Sequence, residues 1–477
     1  MPDSHSQIVP TGDAFMLHAS QSSTNPLIQF TKLERRGAMK KLVYCSMAMV
    51  WLFSVIVVSH SFASDDWEYK GVNVSYYNPD VKHYAWETAR SPYGSWDMIM
   101  LNRFIKEPNN RNNIPNRPAR DLKKVLFFLP GTWDRGSTTI QDPNISLPWF
   151  FAENDYDVYT ISFRTEYIPN FAPDQFAKFG LANELKATGG WTYGVMREDI
   201  KACVEKAKTI SRSRKLFMAG KSRGGTQMWI YAAKYAEDLK ALVSFDGGGA
   251  YVNVDPSKQM TKAAFDATVA ALGTSSGLPY LSEVDNYDLH QFSGAVPFAT
   301  TGVGAPLPDI NTLNPPIPSF APADKNRMTY VSDLTAYKAY WLWGAGLVCN
   351  YYAPYPGGNG ETYIDQNVLM QVEALLTRYW PNIQTLEGNF MANYLVNPYL
   401  DYLNPNINLP VIFFASELSC PRGSCLSLPS TYQARTASTD ITTIYLPKYG
   451  HLDVFSGSHS LQDVKEPALE WMNDRLR

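Results

Sequence analysis

A serine between glycines is the group in this chain best suited to covalent chemistry. The motif Gly-Lys-Ser-Arg-Gly occupies residues 220–224, after a short apolar run and before the helix-like stretch 226–235. A Gly-x-Ser-x-Gly turn between a strand and a helix is typical of a nucleophile elbow, which exposes the serine at the tip of a strained turn. Because glycine has no Cβ, strand and helix can approach closely there. We therefore predict that Ser222 is a nucleophile; an ordinary Gly-rich turn is the alternative.

A serine hydroxyl needs a base to take its proton, and His451 is the histidine best placed to do so. Histidine titrates near neutral pH, and a carboxylate can hold its tautomer and stabilise the imidazolium. His451 lies in the Gly-containing loop 449–453, after the last predicted strand. Of the other histidines beyond residue 63, His83 precedes the predicted fold, His290 lies in an aromatic-rich segment, and His459 lies in a Ser/Gly stretch. A capping or core histidine is the alternative role for His451.

The segments around these residues alternate between strand-like and helix-like patterns. This rhythm predicts an α/β fold with a mostly parallel sheet covered by helices. The predicted strands are 97–105, 124–129, 157–163, the strand entering the elbow, 240–245, 410–415 and 442–446, and the clearest helices are 193–211 and 466–476.

A long stretch between the predicted strands 240–245 and 410–415 lacks this rhythm. Residues 250–405 are rich in Tyr, Trp, Phe, Pro and Gly and contain one clear helix pattern, at 365–379. A structureless loop of this length is improbable in a compact domain. We therefore predict a cap inserted between the strand ending near Asp246 and the strand starting at Pro410. Its aromatic side chains either line a substrate pocket or pack the cap's own core.

The chain resembles the α/β-hydrolase superfamily, and in particular its secreted serine esterases and lipases. The resemblance rests on Pro-Gly-Thr-Trp at 130–133, Asp-Tyr-Asp-Val-Tyr at 155–159 with Arg164, the elbow at 220–224 and Tyr-Gly-His-Leu-Asp at 449–453. It covers roughly residues 95–250 and 405–477 and implies an α/β-hydrolase fold with the chain order Ser, acid, His. The α/β-hydrolase core domain would then consist of two parts, residues 64–249 and 406–477.

The resemblance implies a triad acid just after the penultimate strand, where Glu417 is the only carboxylate and our preferred candidate. The commonest family pattern has an aspartate where Ser419 stands. Asp246, at the end of the preceding strand, is the alternative, because some family members take their acid from there. Asp246 could instead have a purely structural role, as a strand-end aspartate whose carboxylate accepts the following backbone N–H groups. Asp453 is too close in sequence to His451 and is expected to brace its loop.

Acyl transfer passes through a tetrahedral oxyanion, which two preorganised N–H donors usually stabilise. One donor is expected from the backbone of Arg223, directly after the nucleophile. The other is expected from Thr132, with Trp133 as the alternative. The charged side chains of Lys221 and Arg223 either attract an anionic substrate or pair with nearby acids, and we favour pairing.

The N-terminal region has the pattern of a secretory signal. Met-Lys-Lys at 39–41 precedes the apolar run 42–58, and Ser-Phe-Ala follows at 61–63. This pattern predicts a signal peptide at 39–63, cleaved after Ala63, and a periplasmic or secreted protein. An uncleaved membrane anchor is the alternative and would be the only membrane contact. Residues 1–38 are predicted to be a non-structural extension, with Met39 the expected start.

Composition excludes several classes of partner. The net charge is −3 and no Lys/Arg-rich block occurs, so we expect no nucleic-acid binding. No histidine beyond residue 63 has zinc-site spacing, and we expect neither a metal nor a cofactor. Four cysteines follow residue 63, which permits disulfides in an exported chain, and Cys420 and Cys425 would close a small loop.

Together these features predict an exported serine hydrolase that cleaves carboxylic esters. Ser222 would form an acyl-enzyme, and water activated by His451 would release the acid. The aromatic-rich cap indicates a small-molecule or lipid-like ester with an apolar moiety. The alternatives are an amidase, peptidase or acyltransferase with the same triad, or a non-catalytic binding protein of this fold.

Overall fold

The structure is a computed structural model. It describes residues 66–75, 77–92, 94–107, 115–137, 141–247, 261–272, 280–283, 368, 372, 375–394, 400–417 and 428–476. All of these belong to one compact unit, Ser64–Arg477. The segments predicted at 1–38 and 39–63, with the cleavage site after Ala63, lie outside the described residues. Among the helices of the described part, none has the length and apolarity needed to cross a membrane.

A central sheet of nine strands organises the described residues. Its strands are β1 (Glu68–Val74), β2 (Val81–Ala89), β3 (Met98–Lys106), β4 (Val125–Leu129), β5 (Asp157–Ser162), β6 (Leu216–Lys221), β7 (Leu239–Phe245), β10 (Val411–Ser416) and β11 (Ile441–Leu446). The spatial order is β1-β2-β3-β5-β4-β6-β7-β10-β11. The pairs from β5 to β11 are parallel, whereas β1, β2 and β3 pair antiparallel. The predicted α/β class with a mostly parallel sheet is therefore confirmed.

Helices cover both faces of this sheet. They are α1 (Leu147–Glu153), α2 (Pro173–Lys178), α3 (Ala182–Thr188), α4 (Tyr193–Ser211), α5 (Arg223–Tyr235), α8 (Leu428–Arg435), α9 (Asp453–Ser456) and α10 (Glu466–Asp474). Side-chain alternation along β4 shows the two layers: Val125, Phe127 and Leu129 join one core cluster, and Leu126 and Phe128 join the other. A strand buried on both faces is apolar throughout, which explains the run that predicted it.

The antiparallel edge was not predicted. β1 and β2 lie before the first predicted strand, and His83 is part of β2, so the prediction that His83 precedes the fold is wrong. Its ring stacks on Phe104 at 4.6 Å, and its Nε2 lies 2.9 Å from Asn102 Oδ1. Burial lowers the pKa of His83. His83 is therefore a satisfied core histidine.

Parts of the predicted insertion are described. They form α6 (Lys262–Leu272), the antiparallel pair β8 (Leu281–Glu283) and β9 (Tyr379–Pro381), and α7 (Asn382–Tyr394). The predicted helix 365–379 ends early, since residues 375–378 are not helical and Tyr379 begins β9. Most of 250–405 lies outside the described residues, and the cap stays a prediction.

A buried ionic network joins the sheet to α4. The Arg164 guanidinium, only 2% exposed, binds both oxygens of Asp199 at 2.6 and 2.8 Å. It also binds Asp97, which accepts a further hydrogen bond from Trp191 Nε1 at 2.8 Å. Removing one member of a buried charge cluster leaves the others uncompensated, which is more costly than losing an exposed pair.

We expect Arg164→Met to lower the free energy of unfolding by about 3–5 kcal/mol, because buried Asp97 loses its ion-pair partner and buried Asp199 keeps only its pair with Arg90 at 3.2 Å. Urea denaturation measures the change. Lys178→Ala, which removes the exposed pair with Asp174, should leave the midpoint nearly unchanged. Equal midpoints for the wild type and Arg164→Met would contradict the role assigned to this network.

A second buried charge lies where α10 begins. The Lys465 side chain is fully buried, and its ammonium donates to the carbonyl oxygens of Asn144 and Pro143. Burial lowers the pKa of Lys465 to about 7, although Asp142 opposes the shift. Because an unfolded lysine titrates at about 10.4, the unfolded chain binds more protons than the folded chain between about pH 7 and about pH 10. The free energy of unfolding therefore rises with pH across that window.

Lys465→Met should remove this pH dependence. Between about pH 7 and about pH 9, the free energy of unfolding of the wild type should rise by about 2 kcal/mol relative to that of Lys465→Met. The reason is that the buried lysine of the wild type is deprotonated, and therefore uncharged, at the higher pH. Denaturant titrations of both proteins at the two pH values test this. A difference that does not change with pH would show that the charged lysine is tolerated inside the fold.

Candidate active site

The turn after β6 has the geometry of an elbow. Ser222 stands between β6 and α5 with φ 53° and ψ −122°, a conformation that is strained for any residue other than glycine. A Cβ on Gly220 would lie 2.4 Å from the carbonyl oxygen of Gly224, and one on Gly224 would lie 2.2 Å from that of Leu129. The two glycines are therefore required by the close approach of three backbone segments, as the motif predicted.

The structure brings His451 to Asp246. His451 Nδ1 lies 2.5 Å from Asp246 Oδ2, and the aspartate side chain is only 4% exposed. Asp246 stands directly after β7, with φ 45°. Its carboxylate also accepts the backbone N–H of Ser416 at 3.0 Å and the Ser416 hydroxyl at 2.8 Å. These two bonds fix the carboxylate against the end of β10 while it faces the imidazole.

Glu417, the preferred acid of the sequence analysis, is not brought to His451. It is exposed, and its Oε2 accepts the backbone N–H of Lys448 at 2.7 Å. The glutamate therefore ties the end of β10 to the loop after β11. The alternative acid Asp246 is the carboxylate beside the imidazole. Asp453 accepts the N–H of Gly450 at 2.7 Å and braces the histidine loop, as predicted.

Ser222 and His451 lie at the same edge of the sheet. The Ser222 N–H donates to the carbonyl of Phe245 at 3.1 Å, one residue before Asp246. A Cβ on Gly247 would lie 2.3 Å from Ser222 O. No hydrogen bond joins the Ser222 hydroxyl to His451 in the part of the chain that the structure describes. Such bonds are often long in the absence of substrate and tighten when it binds.

The predicted oxyanion loop lies against the elbow. A Cβ on Gly131 would stand 3.2 Å from Ser222 Cβ. The N–H of Gly131 is engaged, since it donates to Asp134 Oδ2 at 2.9 Å. No acceptor for the N–H groups of Thr132, Trp133 or Arg223 occurs within the described ranges. Within the described residues, these three N–H groups, named from the sequence as candidate donors, are therefore not engaged in other hydrogen bonds.

The backbone of Trp133 is held from the described part of the insertion. Trp133 has φ 62°, in the left-handed region. Its carbonyl oxygen accepts two hydrogen bonds from Thr377, from the N–H at 2.6 Å and from the hydroxyl at 3.1 Å. The strained loop is therefore fixed by a residue 244 positions away in sequence. No local pattern in the sequence pointed to Thr377.

The charged neighbours of Ser222 have different partners. Lys221 Nζ forms an ion pair with Asp134 Oδ2 at 2.9 Å, so the predicted pairing is confirmed for this residue. Arg223 instead donates to the Tyr193 hydroxyl at 3.2 Å and to the carbonyl of Gln384 at 3.1 Å. Burial raises the pKa of Tyr193, which keeps this hydroxyl neutral. Arg223 therefore ties the start of α5 to α7.

The described residues offer no group of His, Cys, Asp and Glu side chains that could hold a metal ion. Cys203 is a free, buried thiol, and burial raises its pKa. It is therefore an inert core residue. The predicted Cys420–Cys425 pair lies outside the described residues.

Comparison with solved structures identifies the fold. A candidate lipase from Sulfolobus solfataricus superposes with a TM-score of 0.60 at 22% identity, over 86% of this chain and 100% of that one. The chain has the α/β-hydrolase fold. A carboxyl esterase from Bacillus coagulans (12% identity, 87% and 100% coverage, TM-score 0.43) and a monoglyceride lipase from Saccharomyces cerevisiae (11%, 87% and 97%, 0.41) are more distant. Neither a protein-family model nor a curated protein matches the sequence. At this identity, the likeness establishes the fold of the chain and not its reaction.

The elbow glycines give a direct test of this geometry. We expect Gly224→Ala to cost about 1–3 kcal/mol of unfolding free energy, because the new methyl meets the backbone of Leu129. Gly194→Ala is the matched control: it lies within α4, its Cβ would be 3.5 Å from the nearest atom, and helix propensity favours alanine. Thermal and urea unfolding measure both. A Gly224→Ala protein as stable as Gly194→Ala would contradict the close approach.

Proposed function

We propose that this α/β-hydrolase cleaves carboxylic esters by a serine mechanism, with Ser222 as nucleophile, His451 as base and Asp246 as acid. The observation that carries the proposal is the contact of Asp246 Oδ2 with His451 Nδ1, 2.5 Å, at the sheet edge where the strained Ser222 stands. Lipase and esterase neighbours of the same fold support this reaction class. The acid differs from the one the sequence favoured, because Glu417 binds Lys448 instead.

Asp246 would set the state of the imidazole. A carboxylate at Nδ1 holds the proton on that nitrogen and leaves the lone pair of Nε2 free to accept the serine proton. It also stabilises the imidazolium that forms when His451 takes this proton. The two hydrogen bonds from Ser416 keep the carboxylate oriented throughout.

The reaction then follows from the positions of the groups. As the Ser222 oxygen forms its bond to the ester carbonyl carbon, its proton passes to His451, and the carbonyl oxygen becomes an oxyanion. The backbone N–H groups of Arg223 and Thr132 would stabilise this charge, with Trp133 as the alternative second donor. Collapse breaks the bond to the alcohol, which leaves with the proton from His451. Water then gives a proton to His451 as it attacks the acyl carbon. The bond from that carbon to the Ser222 oxygen breaks, the serine oxygen takes the proton from His451, and the acid is released.

We also propose that the enzyme acts outside the cytoplasm. The apolar run 42–58 and the Ser-Phe-Ala site at 61–63 support export with cleavage after Ala63. The expected substrates are small-molecule or lipid-like esters, because the neighbouring folds are those of lipases and esterases.

Substitutions at the three positions test the mechanism. With a short and a long p-nitrophenyl ester, Ser222→Ala should abolish turnover, and Asp246→Asn should lower kcat by about 10³–10⁴-fold, since the imidazole loses its tautomer. Glu417→Gln, the matched carboxylate control, should stay within about threefold of wild type, because its side chain interacts with Lys448 and Tyr445 and is not the carboxylate placed beside the imidazole.

The opposite pattern, with Glu417→Gln inactive and Asp246→Asn active, would overturn the assignment of the acid. Full activity of Ser222→Ala would overturn the nucleophile. A wild-type protein that hydrolyses neither ester would remove the ester class, and amide substrates and acyl transfer would then be examined with the same variants.

A further inference from the structure

Asp134 connects the two halves of the site, and sequence reasoning did not single it out. Its Oδ2 accepts the N–H of Gly131 in the oxyanion loop at 2.9 Å. The same oxygen pairs with the ammonium of Lys221, the residue before the nucleophile, at 2.9 Å. One carboxylate oxygen thus joins the loop that carries Thr132 to the strand end that carries Ser222.

This contact lies very close to the nucleophile. The position that a Cβ on Gly131 would take is 2.8 Å from Asp134 Oδ2 and 3.2 Å from Ser222 Cβ. The ion pair is largely shielded from solvent, since the Lys221 and Asp134 side chains are 14% and 18% exposed. Electrostatic interactions at such sites are stronger than in water. A charge on Asp134 would therefore act on an oxyanion that forms at Ser222.

The ammonium of Lys221 is held from a second side. It lies 4.5 Å above the centre of the Phe455 ring, and that ring contacts the His451 ring edge-on at 5.2 Å between centres. Lys221 therefore has a fixed position between Asp134 and the aromatic ring beside the base. A lysine recruited for an anionic substrate would instead be exposed and unpaired.

We propose that Asp134 is a positioning residue for the oxyanion hole, an inference that rests on the serine mechanism proposed above. Its carboxylate holds the loop through Gly131, so that the next N–H groups in the chain remain for the oxyanion. A bare carboxylate here would repel the developing negative charge, and the ammonium of Lys221 neutralises it. The ion pair therefore positions the oxyanion loop without placing an unpaired negative charge beside the oxyanion.

Two consequences distinguish this role from a structural one. Removing the carboxylate releases the loop, whereas an amide at the same position still accepts from Gly131. Removing the ammonium alone leaves an unpaired carboxylate beside the oxyanion, and neutralising both groups relieves that repulsion. Substitutions at Asp134 and Lys221 should therefore not be additive.

The test is the rate at which a fluorophosphonate modifies Ser222 in the full chain, because this reaction needs the oxyanion hole whatever the natural acyl substrate is. We expect Asp134→Ala to slow it by about 10–100-fold, less than the loss of a whole donor. Asp134→Asn should stay within about threefold of wild type. Lys221→Met should slow it by about tenfold, and Asp134→Asn/Lys221→Met should recover most of that loss.

The control is Asp440→Ala, which removes an ion pair with Arg475 remote from the site and should react at the wild-type rate. The labelled fraction at completion separates folding from reactivity. If Asp134→Ala lowers only that fraction and reacts at the wild-type rate, Asp134 is merely structural and the proposal falls. It also falls if Lys221→Met and the double variant react equally slowly.

The two proposals fail separately. A wild-type chain that the fluorophosphonate modifies with the expected dependence on Asp134, but that hydrolyses no ester, supports the positioning role and removes the ester class. A wild-type chain that is not modified at Ser222 overturns both.

Discussion

The hydrogen bond between Asp246 and His451 is the interaction on which the site depends. It joins residues 205 positions apart in sequence, so it forms only when β7, β10 and β11 lie side by side with their carboxyl ends aligned. The register secures this alignment: the N–H of Asp246 donates to Phe414 at 2.8 Å, and Ser416 holds the carboxylate from the next strand. The order of the parallel strands thus fixes the position of these two side chains relative to each other.

The donors proposed for the oxyanion depend on a different part of the chain. Thr377 binds the strained backbone at Trp133, and the Gln384 carbonyl accepts from the Arg223 side chain. Both come from the range predicted as an insertion. The described end of that range therefore contacts both the loop at Trp133 and the start of α5. If the insertion served only to cover the substrate, neither the loop at Trp133 nor the Arg223 side chain would need to be held by it.

What the sequence could predict follows from how local each signal is. Ser222 lies in a motif whose glycines are demanded by contacts within the strand–turn–helix unit and with β4, so the elbow was predictable. His451 was singled out by its place in the loop after the last strand, although the reason given for setting His83 aside was wrong, since His83 belongs to β2. The choice between Asp246 and Glu417 could not be predicted, because both follow neighbouring strands and only the side-chain directions separate them. Likewise β2 was missed, and Asp134 and Thr377 act through contacts that no spacing reveals.

The most direct measurement is proton NMR of the exchangeable imidazole protons. If Asp246 holds the Nδ1 proton of His451, the wild type shows a resonance far downfield of the backbone amides, since short charge-assisted hydrogen bonds deshield their proton. This resonance should persist in Glu417→Gln and disappear in Asp246→Asn. A resonance that survives Asp246→Asn but is lost in Glu417→Gln would contradict the central pairing.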